Sequence, residues 1–327
     1  NMKEGINMNL AVKNCMNIAI TLKCDCQCKH CYIDSLENGD SNDLDVSYWK
    51  KALKFYSENG LKEVSIHGGE PILYENIGDI LLYAHKLGLK TSIISNLIHL
   101  DDNLIDILKR TSTYVLTSLD GPESNYLKFR GTDKFGVILK KVNKLLKNNI
   151  KVHPIFIVHK KNFLDLSWIT NYSLFNNIPV VTLSPIQPIG RADNLKEYIL
   201  SNEDLYVVIN KIIELNEKYK GKVNFVTQSL YRPEDLNNYV EDEDKLKEYN
   251  DKFLNILNDG SIIADFDLPN QKEYLLGNIV GNPKNLNKKT YNNYKKLLNK
   301  VYKIGLKKLK DNKSINWLEE VQIVAKK

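Results

Sequence analysis

Short apolar runs alternate with segments of helical periodicity over roughly the first two hundred residues. The apolar runs predict strands at 17–22, 63–67, 90–95, 114–120, 151–158 and 179–184. The segments between them predict helices at 46–59, at a stretch that ends near Gly88, and at 101–110, 134–148 and 162–174. Strands that alternate with helices pair in parallel through right-handed crossovers. The pattern therefore predicts an α/β fold, either a doubly wound sheet or a partial (β/α) barrel.

The pattern changes after the segment "PIGRADN" at 188–194. Helical periodicity returns at 202–219, 242–252 and 288–311, and apolar runs flank a turn within 255–266. Asn258, Asp259 and Gly260 supply the turn chemistry of a β-hairpin. We therefore predict two domains, the α/β unit at 1–195 and a small α+β domain at 196–327 that packs on the first.

Chemically suggestive segments follow four successive predicted strands. A cysteine-rich loop comes after the first strand, "GGEP" after the second, "SN" after the third and "SLDG" after the fourth. The carboxyl ends of parallel strands meet at one edge of a sheet or barrel, where the active sites of such folds lie. The sequence therefore predicts a functional site at this edge.

The composition and charge of the chain favour a globular protein over a secreted, membrane-spanning or nucleic-acid-binding one. The chain has 327 residues, of which 43% are hydrophobic, so it can bury a sizeable core. The net charge of +6 arises mostly from lysine, and the lysines of 288–313 are interpreted as the solvated face of an amphipathic helix rather than as a nucleic-acid surface. No apolar run is long enough for a signal peptide or a membrane span. A cytoplasmic protein is predicted.

The loop "CDCQCKHC" holds four of the five cysteines. Disulfide frameworks spread their cysteines along the chain, so this cluster indicates metal binding. A zinc site would need a second ligand pair, which is absent downstream, and a redox Cys-x-x-Cys pair would leave Cys24 unused. The spacing of Cys24, Cys28 and Cys31 suits an iron–sulfur cluster with one iron left open, and zinc and redox chemistry remain the alternatives.

The loop and the motifs "GGEP", "SN", "SLDG", "RG" and "GRA", in this order and near strand ends, resemble the radical S-adenosylmethionine (radical SAM) superfamily. The resemblance implies a partial (β/α)6 TIM-like barrel and one 4Fe–4S cluster held by Cys24, Cys28 and Cys31. It also implies S-adenosylmethionine at the open iron, cleaved by one electron to a 5′-deoxyadenosyl radical that abstracts hydrogen from a substrate. The electron would come from an external donor such as flavodoxin or ferredoxin.

The same resemblance assigns contacts to S-adenosylmethionine. These contacts are an aromatic residue beside the adenine and groups that hold the methionine ammonium, the ribose and the methionine carboxylate. They fall on His30, Tyr32, Gly68, Gly69, Glu70, Ser95, Asn96, Ser118, Asp120, Arg130 and Arg191. Glycines allow the backbone to approach a ligand closely. Leu97 stands where the family usually has a glycine.

Two cysteines fall outside the ligand set. Cys15 precedes the first predicted strand, on the side of a barrel that serves stability, so we predict a buried core thiol. Cys26 fits no ligand position and is predicted to be a bystander in the loop. The alternative role for either thiol is hydrogen donation to a radical, and no catalytic residue is otherwise assigned.

The C-terminal region resembles a degenerate form of the SPASM/Twitch domain of peptide-modifying radical SAM enzymes. Asp265 stands where the Gly-x-x-x-x-Cys hairpin that begins at Gly260 would place its cysteine, and "LGNI" follows at 276–279. No cysteine follows Cys31, so we predict a single cluster.

The resemblance implies a ribosomally synthesised peptide as substrate, modified by epimerisation or crosslinking. A small molecule such as a tetrapyrrole or sugar precursor is the alternative, and a non-catalytic metal-binding interaction protein is the alternative from another class. The short segment before the first strand predicts that a peptide is held by the barrel mouth, the second domain or a separate leader-peptide-binding protein.

Overall fold

The computed structural model describes residues 14–33, 35, 42–227, 230–241, 253–268, 271–281, 283 and 286–326. The helix predicted at 242–252 lies outside these residues. None of the described helices is both long and apolar enough to span a membrane.

The described strands include all six that the alternating pattern predicts. They are β1 (Cys15–Thr21), β2 (Glu63–Gly68), β3 (Lys90–Ile94), β4 (Tyr114–Ser118), β5 (Val152–Val158), β6 (Val180–Pro185), β7 (Asn224–Val226), β8 (Leu230–Tyr231), β9 (Phe253–Ile256), β10 (Ser261–Ile263), β11 (Leu275–Asn278) and β12 (Ile315–Asn316).

The described helices cover the predicted ones and add others. They are α1 (Val46–Glu58), α2 (Ile77–Lys86), α3 (Asp102–Arg110), α4 (Glu123–Arg130), α5 (Phe135–Lys147), α6 (Leu166–Phe175), α7 (Asn202–Lys218), α8 (Leu236–Glu241), α9 (Lys288–Lys310) and α10 (Trp317–Ala325). The sequence pattern did not predict α4, α8 or α10.

Strands β1 to β6 lie side by side in chain order, and each pairs in parallel with the next. A doubly wound sheet would reverse its strand order at a switch point. The unbroken order is that of a partial barrel, which confirms the predicted α/β class and selects between its two architectures.

The C-terminal strands extend the same sheet at both edges. Strand β7 pairs with β6, and β9 pairs in parallel with β1 before the antiparallel strands β10 and β11. The predicted hairpin is present as β9 and β10, and Gly260 in its turn has a φ of 83°. The sheet therefore continues across residue 195, and the division into two domains stays a prediction.

Side chains of β1 alternate between two environments. Met16, Ile18 and Ile20 are fully buried in the main hydrophobic cluster, together with residues of the surrounding helices. Asn17 lies on the opposite face, where its Nδ2 donates to Oδ1 of Asn255 on β9 at 2.9 Å. An apolar outer face and a partly polar inner face are expected of barrel strands that carry a site at their ends.

Candidate functional site

The cysteine loop follows β1 and is held by backbone contacts from other segments. Lys29 N donates to the carbonyl of Phe129, and Arg191 N donates to the carbonyl of Cys31, at 3.0 and 2.9 Å. A Cβ at Gly131 would lie 2.9 Å from the Gln27 oxygen. The motifs "RG" and "GRA" therefore fix the loop, because their glycines permit this close packing.

Three thiols of the loop interact with one another. Cys24 and Cys26 are buried, and Cys26 forms side-chain hydrogen bonds with both Cys24 and Cys28. The hydrogen bond from Cys26 lowers the pKa of Cys24, and it lowers that of Cys28 to about 6 with the help of the Arg130 guanidinium. The same contacts and burial raise the pKa of Cys26. The lowered pKa values move Cys24 and Cys28 towards the thiolate, the form that binds metal, and the raised pKa keeps Cys26 a neutral thiol.

The fourth thiol, Cys31, contacts Ser35. Its sulfur is 3.4 Å from both the backbone nitrogen and the hydroxyl of Ser35. The Ser35 hydroxyl accepts from Nη2 of Arg191 at 3.2 Å. Arg191 therefore contacts this ligand position through Ser35.

The "GGEP" segment packs against the end of β1. Gly69 N and Glu70 N donate to the carbonyls of Thr21 and Lys23, both at 2.7 Å. A Cβ at Gly69 would lie 2.2 Å from the Lys23 oxygen, and one at Gly68, whose φ is 139°, would lie 2.3 Å from the Thr21 oxygen. In the fold these glycines let the backbone approach the end of β1 and the residues after it, and their predicted approach to a ligand stays a prediction.

Glu70 is buried and connects the second and third strand ends. Its Oε1 accepts from the Ser95 hydroxyl at 2.7 Å, and its Oε2 accepts from Asn96 N at 2.6 Å. Burial raises the pKa of Glu70 to about 7. The carboxyl group therefore brings the "GGEP" and "SN" motifs together, as their positions at neighbouring strand ends predicted.

Leu97 takes the backbone conformation that a glycine at its position would adopt. Its φ is 66°, in the left-handed region, and its side chain is buried in the main core. The conformation costs about 1 kcal/mol for a non-glycine residue, and burial of the leucine side chain offsets this cost. Asn96 keeps its contact with the cysteine loop, since its Nδ2 donates to Asp25 at 2.7 Å and lies 3.3 Å from the Cys26 sulfur.

A buried ion pair lies beneath the cysteine loop. Asp120, just after Ser118 at the end of β4, accepts from Nε of Arg130 at 2.6 Å and from Ile157 N at 2.7 Å. Nη1 of Arg130 is 3.7 Å from the Cys28 sulfur. The guanidinium of Arg130 thus neutralises the carboxylate on one side and favours a thiolate on the other.

His30 lies on an aromatic cluster that the sequence did not indicate. Its ring stacks on Phe129 with centroids 4.5 Å apart, and Phe129 packs on His159 and Tyr198. Burial lowers the pKa of His30, so the ring is neutral. Its buried Nδ1 has no hydrogen-bond partner among the described residues. Phe129 lies in the last turn of the unpredicted helix α4, which explains why spacing alone could not reveal it.

Tyr32 and Cys15 lie at different places in the barrel. The Tyr32 hydroxyl is 3.2 Å from Nδ1 of His67, beside the glycine motif. Cys15 begins β1 at the opposite end of the strand, about 20 Å from the loop for a strand of this length. Its side chain is half-buried, so the prediction of a buried core thiol is wrong: Cys15 is the first residue of β1, and its thiol donates to Oδ1 of the exposed Asn14 at 3.4 Å.

These residues fit a cluster and its ligand. Three thiols at the predicted spacing lie on one fixed loop, two of them have lowered pKa values, and an unpaired buried nitrogen of His30 lies nearby. In the described part of the chain no three side chains of metal-binding type converge on one point. In a cubane each thiolate binds a different iron, so cluster ligands need not converge on one ion.

Comparison with known proteins agrees with this geometry. Residues 18–167 match the family model described as the radical SAM superfamily. Among curated proteins, the Fe-coproporphyrin III synthase of Methanosarcina barkeri is 26% identical over 205 residues, which are 62% of this chain and only 51% of the synthase. The subtilosin biosynthesis protein AlbA of Bacillus subtilis is 26% identical over 151 residues, 45% of this chain and 34% of AlbA.

Among solved structures, Streptococcus suis SuiB bound to S-adenosylmethionine has a TM-score of 0.75 and 17% identity. The superposition covers 88% of this chain and 68% of SuiB. SuiB has also been solved bound to its precursor peptide SuiA. At this identity the likeness shows the fold, and the family match defines the domain. Residues 18–167 of this chain therefore form a radical SAM domain.

Proposed function

We propose that this protein is a radical SAM enzyme that modifies a ribosomally synthesised peptide. The observation that carries the proposal is the cysteine loop, in which Cys24, Cys28 and Cys31 lie next to the "GGEP" segment at the carboxyl edge of the barrel. Cys24, Cys28 and Cys31 would hold one 4Fe–4S cluster. With S-adenosylmethionine bound, the cluster would supply a 5′-deoxyadenosyl radical that takes hydrogen from the substrate.

The remaining residues of the site would orient S-adenosylmethionine. His30 offers a flat, neutral ring and a free buried nitrogen to the adenine. Glu70 already accepts three hydrogen bonds from the chain, so it has capacity for about one more donor, such as the methionine ammonium. Arg130 would act on the cluster side, because it lies between Asp120 and Cys28.

The peptide substrate is supported by likeness to proteins that act on peptides. SuiB, with the TM-score of 0.75, binds a precursor peptide, and AlbA takes part in bacteriocin biosynthesis. The lack of cysteine after Cys31 supports a single cluster. An external one-electron donor, a cytoplasmic location and a separate leader-peptide-binding protein complete the proposal.

A tetrapyrrole is the second candidate substrate. The match to Fe-coproporphyrin III synthase extends over 62% of this chain, further than the match to AlbA. The two candidate substrates differ in shape and charge, because a porphyrin carries carboxylates on a broad aromatic plane and a peptide does not.

The test is transfer of deuterium. The protein, reconstituted without oxygen and reduced, is incubated with S-adenosylmethionine and a perdeuterated candidate precursor peptide, or with deuterated coproporphyrin. Deuterium in 5′-deoxyadenosine from the peptide alone is expected. Transfer from the porphyrin alone would replace the peptide by the second candidate, and a folded, cluster-loaded protein that forms no 5′-deoxyadenosine would reject both.

A further inference from the structure

The segment 264–268, here called the acidic segment, follows β10 and lies against the end of the cysteine loop. The Phe266 ring meets the His67 ring edge to face with centroids 4.6 Å apart. His67 contacts the Tyr32 hydroxyl, and Tyr32 follows Cys31. The segment thus lies next to the proposed reaction centre, where it carries Asp265 in the position at which the Gly-x-x-x-x-Cys hairpin would have its cysteine.

Two carboxyl groups of the acidic segment share this region. Asp265 accepts from the Tyr294 hydroxyl at 2.6 Å and from Asp267 N at 3.1 Å, and Asp267 is hydrogen-bonded by Gln187. Both groups influence Tyr32 electrostatically. Burial raises the pKa of Asp265, and burial together with the charge of Asp265 raises that of Asp267 to about 7. Ionisation of the two carboxyl groups therefore costs free energy in these surroundings.

No cation of the described residues compensates the two carboxyl groups. Hydroxyl, amide and backbone donors are the groups that lower their pKa values in the described part of the chain, and none of these donors belongs to a lysine, arginine or histidine. Buried carboxylates are ordinarily paired with a cation or bound to a metal. The same residues hold no set of three metal-binding side chains, so an organic cation fits better than a metal ion.

A buried amide adds an unused acceptor next to the pair. Gln322 on α10 is fully buried, and its Nε2 donates to Oε1 of Gln187 at 3.1 Å. Its Oε1 has no hydrogen-bond partner among the described residues. The Gln322 amide is joined to Asp267 through Gln187, so Gln322, Gln187 and Asp267 form one hydrogen-bonded group in which the Gln322 oxygen has no donor among the described residues.

We propose that Asp265, Asp267 and Gln322 bind a positively charged side chain of the peptide substrate, lysine or arginine, beside Tyr32. The ammonium or guanidinium group would supply the missing cation to the carboxylates and the missing donor to Gln322. The inference rests on the proposed peptide-modifying function and specifies the residue that the peptide presents near the reaction centre. One of the two carboxyl groups, Asp265, stands at the position where SPASM/Twitch domains would place a cluster cysteine.

The test uses short peptides rather than an unknown precursor. The pentapeptides Gly-Gly-Lys-Gly-Gly and Gly-Gly-Arg-Gly-Gly are compared with their neutral counterparts, which carry norleucine and citrulline. Equilibrium dialysis against anaerobic protein loaded with cluster and S-adenosylmethionine measures retention. A charged peptide should bind at least about tenfold more tightly than its counterpart, and comparison of the two charged peptides decides between lysine and arginine.

Variants assign the effect to the carboxyl groups. Asp267→Asn and Asp265→Asn, which keep oxygen acceptors for Gln187 and Tyr294, should each reduce the preference to about twofold or less. Asp259→Asn is the matched control, because Asp259 is an exposed carboxylate in the turn before β10 whose Oδ1 accepts from Ser261 N. It should keep the preference of the parent protein.

Equal binding of charged and neutral peptides, or binding of none, would overturn this proposal. A preference that survives both substitutions would overturn it as well. The same preparation is reduced without peptide and assayed for 5′-deoxyadenosine. Formation of 5′-deoxyadenosine without a charge preference rejects the cation site alone, whereas failure to form it rejects the proposed function.

Discussion

Two loops meet at Tyr32, and they differ in how their charges are balanced. The cysteine loop carries thiols with lowered pKa values, and the guanidinium of Arg130 lies beside Cys28. The acidic segment carries Asp265 and Asp267 with no cation among the described residues. The first loop has a cation from its own chain beside its thiols, whereas the described residues place none beside the carboxyl groups of the second.

The largest expected effect separates the thiols of the first loop. Alanine at Cys24, Cys28 or Cys31 should abolish cluster binding, because each removes one of three ligands. Alanine at Cys26 should leave most of the bound iron in place, although loss of its hydrogen bonds should raise the pKa of Cys28. Iron and sulfide content after anaerobic reconstitution measures both. Loss of iron from Cys26→Ala, with retention in Cys24→Ala, would show that the ligand set was misassigned.

Removal of the Arg130 guanidinium should leave the cysteine loop, like the acidic segment, beside a buried carboxyl group without a cation. Arg130→Met leaves Asp120 buried, 1% exposed, without its partner. Loss of one member of such a pair costs about 3–5 kcal/mol in the free energy of unfolding, measured by urea denaturation. Lys50→Met, which breaks the exposed pair with Asp79, is the control and should cost less than about 1 kcal/mol. Equal losses in the two variants would contradict the structural role assigned to Arg130.

The glycine motif should be sensitive to a single methyl group. Gly69→Ala would place a Cβ 2.2 Å from the Lys23 oxygen, and backbone must shift to accept it. We expect a loss of about 1–3 kcal/mol in stability together with weaker binding of S-adenosylmethionine, measured by equilibrium dialysis. Gly136→Ala is the control, since nothing lies within 4 Å of its added Cβ. Unchanged stability and affinity in Gly69→Ala would mean that the close approach to β1 is not needed.

The sequence marked the cysteine loop as a candidate site but did not reveal the contacts of the acidic segment, and the reason is physical. Thiol spacing and a run of motifs at strand ends mark Cys24 and Glu70 because both depend on local order along the chain. Asp267, Gln187 and Gln322 come from distant segments and meet only through the fold. The radical SAM domain and the α/β barrel are confirmed, whereas the ligand assignments and the domain boundary stay predictions.

Helices α4 and α10, which the sequence pattern did not predict, show the same limit of local sequence patterns. Helix α4 carries buried residues only at Tyr126 and Phe129, too few for a clear helical stripe, yet it supplies the stacking partner of His30. Helix α10 is short and mixes polar and apolar buried residues, among them Gln322. Elements that are shaped by a site rather than by a hydrophobic face lack the periodicity that predicts them.

The smallest expected effect is a pH dependence that arises in the acidic segment. The pKa of Asp267 is about 7 in the fold and near 4 in an unfolded chain, so between these values the folded protein binds more protons. Stability without peptide should therefore fall as pH rises from about 4 to 7. Thermal midpoints at pH 5 and pH 8 measure the fall, which should be smaller in Asp267→Asn and unchanged in Asp259→Asn. An identical fall in all three proteins would contradict the raised pKa.

The most direct test of the account is anaerobic reconstitution followed by reduction with S-adenosylmethionine present. The account predicts about four irons per chain, the content of one 4Fe–4S cluster, and formation of 5′-deoxyadenosine that depends on Cys24, Cys28 and Cys31. A folded protein that binds zinc in preference to iron, or that holds a cluster without cleaving S-adenosylmethionine, would contradict it.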